Sequence, residues 1–69
     1  MISYRPFYRT LEDQERTVYS LIHHEGISSK TLHRMSQGMP ITTKTLETLC
    51  RVLKCSVSEV IEYVEESPR

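Results

Sequence analysis

Apolar residues recur along this chain at intervals of three and four rather than two, the spacing of one face of an α-helix. Tyr4, Phe7, Tyr8 and Leu11 form the first stripe. Its helix is expected to start near Tyr4, with Pro6 in the first turn where a missing N–H costs nothing, and to end between Glu12 and Gln14. Val18, Leu21 and Ile22 form the second stripe behind Thr17, whose hydroxyl can cap the helix. Glu25 takes this stripe's fourth position, where an apolar residue would be expected, and should point to solvent as the helix ends. Gly26 lets the chain leave the second helix through a left-handed conformation, Ile27 plugs the corner, and Ser28 caps a third helix.

The third helix sorts its residues by face, with Ser28, Leu32 and Met35 inward and Lys30, His33, Arg34 and Gln37 outward. Gly38 and Pro40 stop it, and Ile41 is a buried contact in the loop that follows. Thr42 or Thr43 caps a fourth helix with the stripe Leu46, Leu49, Cys50 and Leu53. Ser56, with Glu59 three residues on, reads as a capping box opening a fifth helix that buries Val57, Val60, Ile61 and Val64. Alternation within VSEVIEYVEE competes with that reading. Helix is preferred because spacing and cap agree, with the last turn from Tyr63 extended. The expected fold is therefore all-α, a compact bundle of five short helices.

Length confines this bundle to one domain over residues 1–66, with a short tail at 67–69. A chain of this size buries only about 60% of its unfolded surface, so its core is marginal and a partner subunit would help. No apolar run approaches the roughly 18 residues of a membrane span, and MISYRPFY lacks the apolar core of a signal peptide. A cytoplasmic protein is expected. Net charge is zero, yet unevenly placed. Residues 16–54 carry six cations against Glu25 and Glu47, whereas Glu59, Glu62, Glu65 and Glu66 make the C-terminal end acidic. The basic centre coincides with the second and third helices.

A helix held by an apolar inner face, with Lys, Arg, Gln and Ser available outside, suits a polar partner such as a DNA major groove, whose base edges and phosphates accept such donors. Other chemistries fit less well. His23, His24, His33, Cys50 and Cys55 lack the tight ligand pairs of a structural zinc site. Cys50 falls on the inner stripe of the fourth helix and Cys55 at the half-buried turn after it, so both read as small hydrophobes, and no cofactor is implied. An enzyme is not expected, since a catalytic dyad would draw Cys50 from the core and so small a bundle leaves no room for a substrate pocket.

The segment GISSKTLHRMSQG followed by TTKTLETLCRVLKCSVSEVIEY resembles the lambda-repressor-like (Cro/CI, XRE-type) helix-turn-helix family, especially its short bacterial and phage members. The likeness spans Ile2 to Val64, and the order and separation of Gly26–Leu32 and Leu46–Cys55 carry most of it. It implies a bundle in which the third helix enters the major groove. By position, base-facing roles fall on Ser29, Lys30, Thr31 and Arg34, and phosphate-facing roles on Thr17, Val18, Ser28, Gln37, Thr43 and Lys44. Ile22 stands where the family often has a small residue, and Glu25 and Glu15–Arg16 where an apolar residue or glycine is common.

Two functions compete on this reading. One is a sequence-specific, repressor-like transcriptional regulator bound to operator DNA, a homodimer if Val57, Val60, Tyr63 and Val64 leave an apolar edge. The other is a small antirepressor or accessory protein that keeps the fold but binds another regulator, favoured by the acidic ends and by Glu25.

Overall fold

The computed structural model describes residues 1–66, so the expected tail at 67–69 lies outside the described residues. In chain order the elements are a short strand β1 (Ile2–Ser3), helices α1 (Arg5–Asp13), α2 (Val18–His24), α3 (Ser29–Ser36) and α4 (Thr43–Leu53), a single 3-10 turn (Val57–Glu59), and a short strand β2 (Glu62–Tyr63). No helix among the described residues is long and apolar enough to cross a membrane.

The expectation of five helices is corrected to four. Ser56 and Glu59 do form the capping box, the Ser56 amide donating to Glu59 Oε1 at 2.9 Å, but the helix it opens lasts one turn. The chain then extends, and β2 pairs antiparallel with β1 in the register Ile2↔Tyr63 and Ser3↔Glu62. Of the four residues expected inside, Val60 is fully buried and Ile61 half-buried, whereas Val57 and Val64 are exposed. Pairing with the other end of the chain satisfies backbone groups that a second helical turn would otherwise have bonded within itself.

One core unites the elements. Tyr4, Phe7, Leu11, Leu21, Ile27, Leu32, Met35, Leu49, Leu53 and Val60 are buried together, and Val18, Ile22, Ile41, Leu46, Cys50 and Cys55 pack against them from half-buried positions. Ile22 is thus accommodated where a smaller residue is common. Tyr8 was expected inside but is 39% exposed, its ring edge-on to Phe7 at 5.0 Å. The place on that side of α1 belongs instead to Thr10, whose buried hydroxyl donates to the Glu59 carbonyl at 2.8 Å.

All four helices stop in the same way. A residue in the left-handed region ends each, at Glu15 (φ 56°), Gly26 (φ 75°), Gly38 (φ 75°) and Lys54 (φ 53°). The next amide then reaches back across the last turn: Arg16 to the Leu11 carbonyl at 2.8 Å, Ile27 to Leu21 at 3.0 Å, Met39 to Arg34 at 3.0 Å, Cys55 to Cys50 at 3.1 Å. This is the Schellman-type closure that serves otherwise orphaned carbonyls. A left-handed residue at Glu15 is compatible with the glycine that the resembled family pattern allows there.

Two further carbonyls at the end of α4 are met from the α1–α2 corner. Gln14 Nε2 donates to Leu53 O at 2.8 Å and Arg16 Nη1 to Val52 O at 3.3 Å. Arg16 also faces Glu25, Nη2 to Oε2 at 3.9 Å, so Glu25 does not simply point to water.

Left-handed backbone costs a residue with a Cβ roughly 1–2 kcal/mol, part of which glycine returns as greater freedom in the unfolded chain. Glu15→Gly and Lys54→Gly should therefore each stabilise the fold by about 1 kcal/mol or less. Thermal melts should show a rise of a few degrees for each, and Gly26→Ala should show a fall of similar size.

Candidate nucleic-acid interface

The candidate surface rests on two locally determined helix starts and the turn between them. At α2, Thr17 Oγ1 accepts the Ser20 amide at 3.1 Å while the Thr17 amide donates to Ser20 Oγ at 3.3 Å, a reciprocal cap. Val18 follows with its side chain half-buried on the core, so only its backbone is available outward. Leu21 is fully buried, and its carbonyl receives the Ile27 amide across Gly26. No atom lies within 4 Å of where a Gly26 Cβ would stand, so the glycine is required by backbone conformation rather than by space.

Ser28 was expected on the inner face but is exposed, because its work is at the helix end: Oγ accepts the Thr31 amide at 3.4 Å. Accepting that bond leaves its hydroxyl hydrogen free for an outside acceptor. Leu32 and Met35 lie in the core and fix the rotation of α3 about its axis. Ser29, Lys30, His33, Arg34 and Gln37 consequently face solvent. Neither Lys30 nor Arg34 has a carboxylate within ion-pair distance among the described residues.

Thr31 differs from its neighbours. It is half-buried and lines two small clefts between α3 and α4. One, of about 140 Å³, also involves Ser28, Lys44, Thr45 and Thr48. The other, of about 70 Å³, is bordered by Arg34, Ile41, Thr42 and Thr45. The amino ends of α3 and α4 therefore converge on a surface rich in hydroxyls with Arg34 and Lys44 beside it. Thr42, rather than Thr43, caps α4 by accepting the Thr45 amide at 3.1 Å, which leaves Thr43 exposed in the first turn. Lys44 Nζ lies 3.8 Å from Glu47 Oε1, but both side chains are largely exposed, and such a pair exchanges readily for another anion.

Tyr19 was not paired with His23 in the sequence analysis. They stack with centroids 4.1 Å apart on the exposed side of α2, and their i, i+4 spacing was the available signal. The cysteines are free thiols, both half-buried against the core. Burial first, then the neighbouring Cys50 and Glu59, pushes the Cys55 thiol above its ordinary value. Among the described residues no group of three metal-ligating side chains comes together. Contrary to expectation, there is a cavity of some size, a half-open groove of about 380 Å³ between the strands and α4. It is lined by residues such as Ile2, Tyr4, Pro40, Ile41, Leu46 and Ile61, with no histidine, cysteine or carboxylate to serve as a catalytic base.

Residues 9–66 match the family described as the Cro/C1-type HTH DNA-binding domain. The chain belongs to that family. β1 and the start of α1 lie outside the matched range. Among solved structures, the fold is similar to that of the transcriptional regulator VanUg, with a TM-score of 0.84 and 23% sequence identity, over 94% of this chain and 87% of that one. No curated protein matches the chain. The matched range contains α2, the turn at Gly26 and α3, whose capping residues Thr17 and Ser28 are exposed.

Ser28→Ala should cost about 1 kcal/mol in urea unfolding, the usual worth of a lost N-cap, with faster hydrogen exchange at the Thr31 amide. Because only the thiolate is nucleophilic, raising the Cys55 pKa lowers its reactive fraction at any given pH. Its alkylation by iodoacetamide should still be accelerating at pH values where an exposed cysteine has levelled off.

Proposed function

We propose that this Cro/C1-type domain, residues 1–66 acting as one unit, is a sequence-specific, repressor-like transcriptional regulator that inserts α3 into the major groove of an operator. Ser29, Lys30 and Arg34 read base edges from the outer face of α3, with Thr31 contributing from its position toward α4. Thr17, Ser28, Gln37, Thr43 and Lys44 hold phosphates by side chain or amide, and Val18 by its amide alone. The supporting observation is that Lys30 and Arg34 stand exposed and, among the described residues, without a carboxylate partner on a helix whose rotation Leu32 and Met35 fix. A cation in that state keeps its charge for a ligand, and an arginine set bidentate on guanine discriminates by about 1–3 kcal/mol.

The rival, a domain that keeps the fold but binds another regulator, drew support from Glu25 beside the turn. That carboxylate faces Arg16, a residue outside α3, and so leaves the field around Lys30 and Arg34 undisturbed by a direct contact. The acidic C-terminal end is what still speaks for it.

Selection from a random duplex pool, followed by a salt titration, separates the two. Binding to DNA should weaken linearly in log–log form, by about 0.9 for each phosphate neutralised. Lys30→Ala and Arg34→Ala should relax sequence preference, whereas Lys44→Ala should weaken all duplexes alike. A folded sample that binds no duplex at low salt would reject the proposal.

A further inference from the structure

The two free cysteines meet where α4 closes. Lys54, left-handed at φ 53°, turns the chain so that the Cys55 amide returns to the Cys50 carbonyl at 3.1 Å. In a closure of this type the two residues joined by that backbone bond also bring their side chains together, commonly as a hydrophobic contact. Here the contact is between two thiols, both half-buried and both packed against the core. Each senses the other. After burial, Cys50 is the next cause that raises the Cys55 thiol, and it also acts through a hydrogen bond between the side chains.

A pair of sulfurs held side by side is a ligand set, and its size selects the ion. A tetrahedral ion such as zinc takes four ligands, and among the described residues no third metal-ligating group joins the pair. Glu59 is the carboxylate that Cys55 senses, but its Oε1 already accepts the Ser56 amide at 2.9 Å and the Ser56 hydroxyl at 3.2 Å. Copper(I) differs, because soft thiolates select it and two of them in a near-linear arrangement complete its shell. Burial suits such an ion too. A half-buried pair is open to entry on one side, while the core behind it keeps out the hard oxygen ligands that would favour other metals.

We infer that Cys50 and Cys55 form a two-coordinate site for a single soft monovalent ion of the copper(I) class. On loading, each S–H bond is replaced by a sulfur–copper bond and each proton goes to solvent. No electron changes hands, so no oxidant is required. The bound unit carries one negative charge. Arg51 and Lys54 lie within the same closure, and Arg16 reaches the same helix end, with Nη1 3.3 Å from the Val52 carbonyl, so the surrounding field offsets that charge. The site lies at the carboxyl end of α4, whereas Thr43 and Lys44 open that helix, so the inference stands apart from the proposed DNA reading.

Titration of the reduced chain with copper(I) under inert gas, in competition with bicinchoninate, tests it. One ion should bind per chain, with release of about two protons and affinity that rises with pH. Cys50→Ala and Cys55→Ser should each weaken binding at least about a hundredfold, since one thiolate cannot complete the shell. Circular dichroism checks that both variants fold. In the unaltered chain, loading should protect both cysteines from iodoacetamide and raise the melting temperature, because an ion that prefers the folded closure stabilises it. Zinc should give neither effect. Failure to bind copper(I), binding indifferent to both substitutions, or equal affinity in strong urea, where the closure is lost, would each overturn the inference.

Discussion

The structure depends on how its helices end. With 9, 7, 8 and 11 residues, none of the four is long enough to persist alone in water, where isolated helices below about 12–15 residues are marginal. Each must deliver a buried face to the common core and then turn sharply enough for the next to do the same. A left-handed residue followed by an amide that bonds back across the last turn achieves both, because it closes the orphan carbonyls and reverses the chain within a few residues. At the α2–α3 corner the reversal also sends Ile27 straight into the core, so backbone closure and apolar burial are one event.

The starts of the helices matter in a different way. Thr17, Ser28 and Thr42 each use a hydroxyl oxygen to accept an amide three residues ahead. The Thr17 and Ser28 hydroxyls still have a hydrogen to give, whereas Thr42 gives its own to Thr45 Oγ1 at 3.2 Å, and a capped amino end still carries the positive end of the helix dipole. The same residues that define where α2, α3 and α4 begin therefore leave donor-rich ends at the surface. Placing Thr31 and Thr45 between α3 and α4 then brings two of those ends together.

Much of this was legible in the sequence because it is local. Spacing gave the four helices and most of their buried residues, and the caps at Thr17, Ser28 and Thr42 follow from short polar residues just before an apolar stripe. What failed was non-local. The capping box at Ser56 and Glu59 is real, but nothing within Val57–Val64 reveals that Met1–Ser3 will arrive as a pairing partner, and that strand decides the segment. The same holds for α1. Spacing puts Tyr8 on the apolar stripe, whereas the outcome turns on the Glu59 carbonyl, 49 residues away, which needs a donor and finds the Thr10 hydroxyl. For the candidate surface, the outward set on α3 was readable from helical period alone; that Thr31 leans toward α4 required the packing of two helices.

Three of the positions that depart from the resembled family pattern are linked. Glu15, Arg16 and Glu25 were each unexpected, and each sits at the corner where α1 and α2 meet the end of α4. Glu15 holds the left-handed closure, which frees Arg16 to extend toward α4. The final carbonyls of α4 have no partner within their own helix, and Arg16 and Gln14 supply donors to two of them. A cation at a helix carboxyl end is favourable on electrostatic grounds as well. Glu25 then balances Arg16 at 3.9 Å; with both side chains about one-third exposed that pair adds little energy, yet it offsets a charge that would otherwise stand half-buried. An apolar residue in place of Arg16 would have packed this corner without closing the end of α4. The unusual charges are therefore accounted for by the needs of one helix terminus, and they argue for a repacked corner rather than for a surface turned to a new ligand.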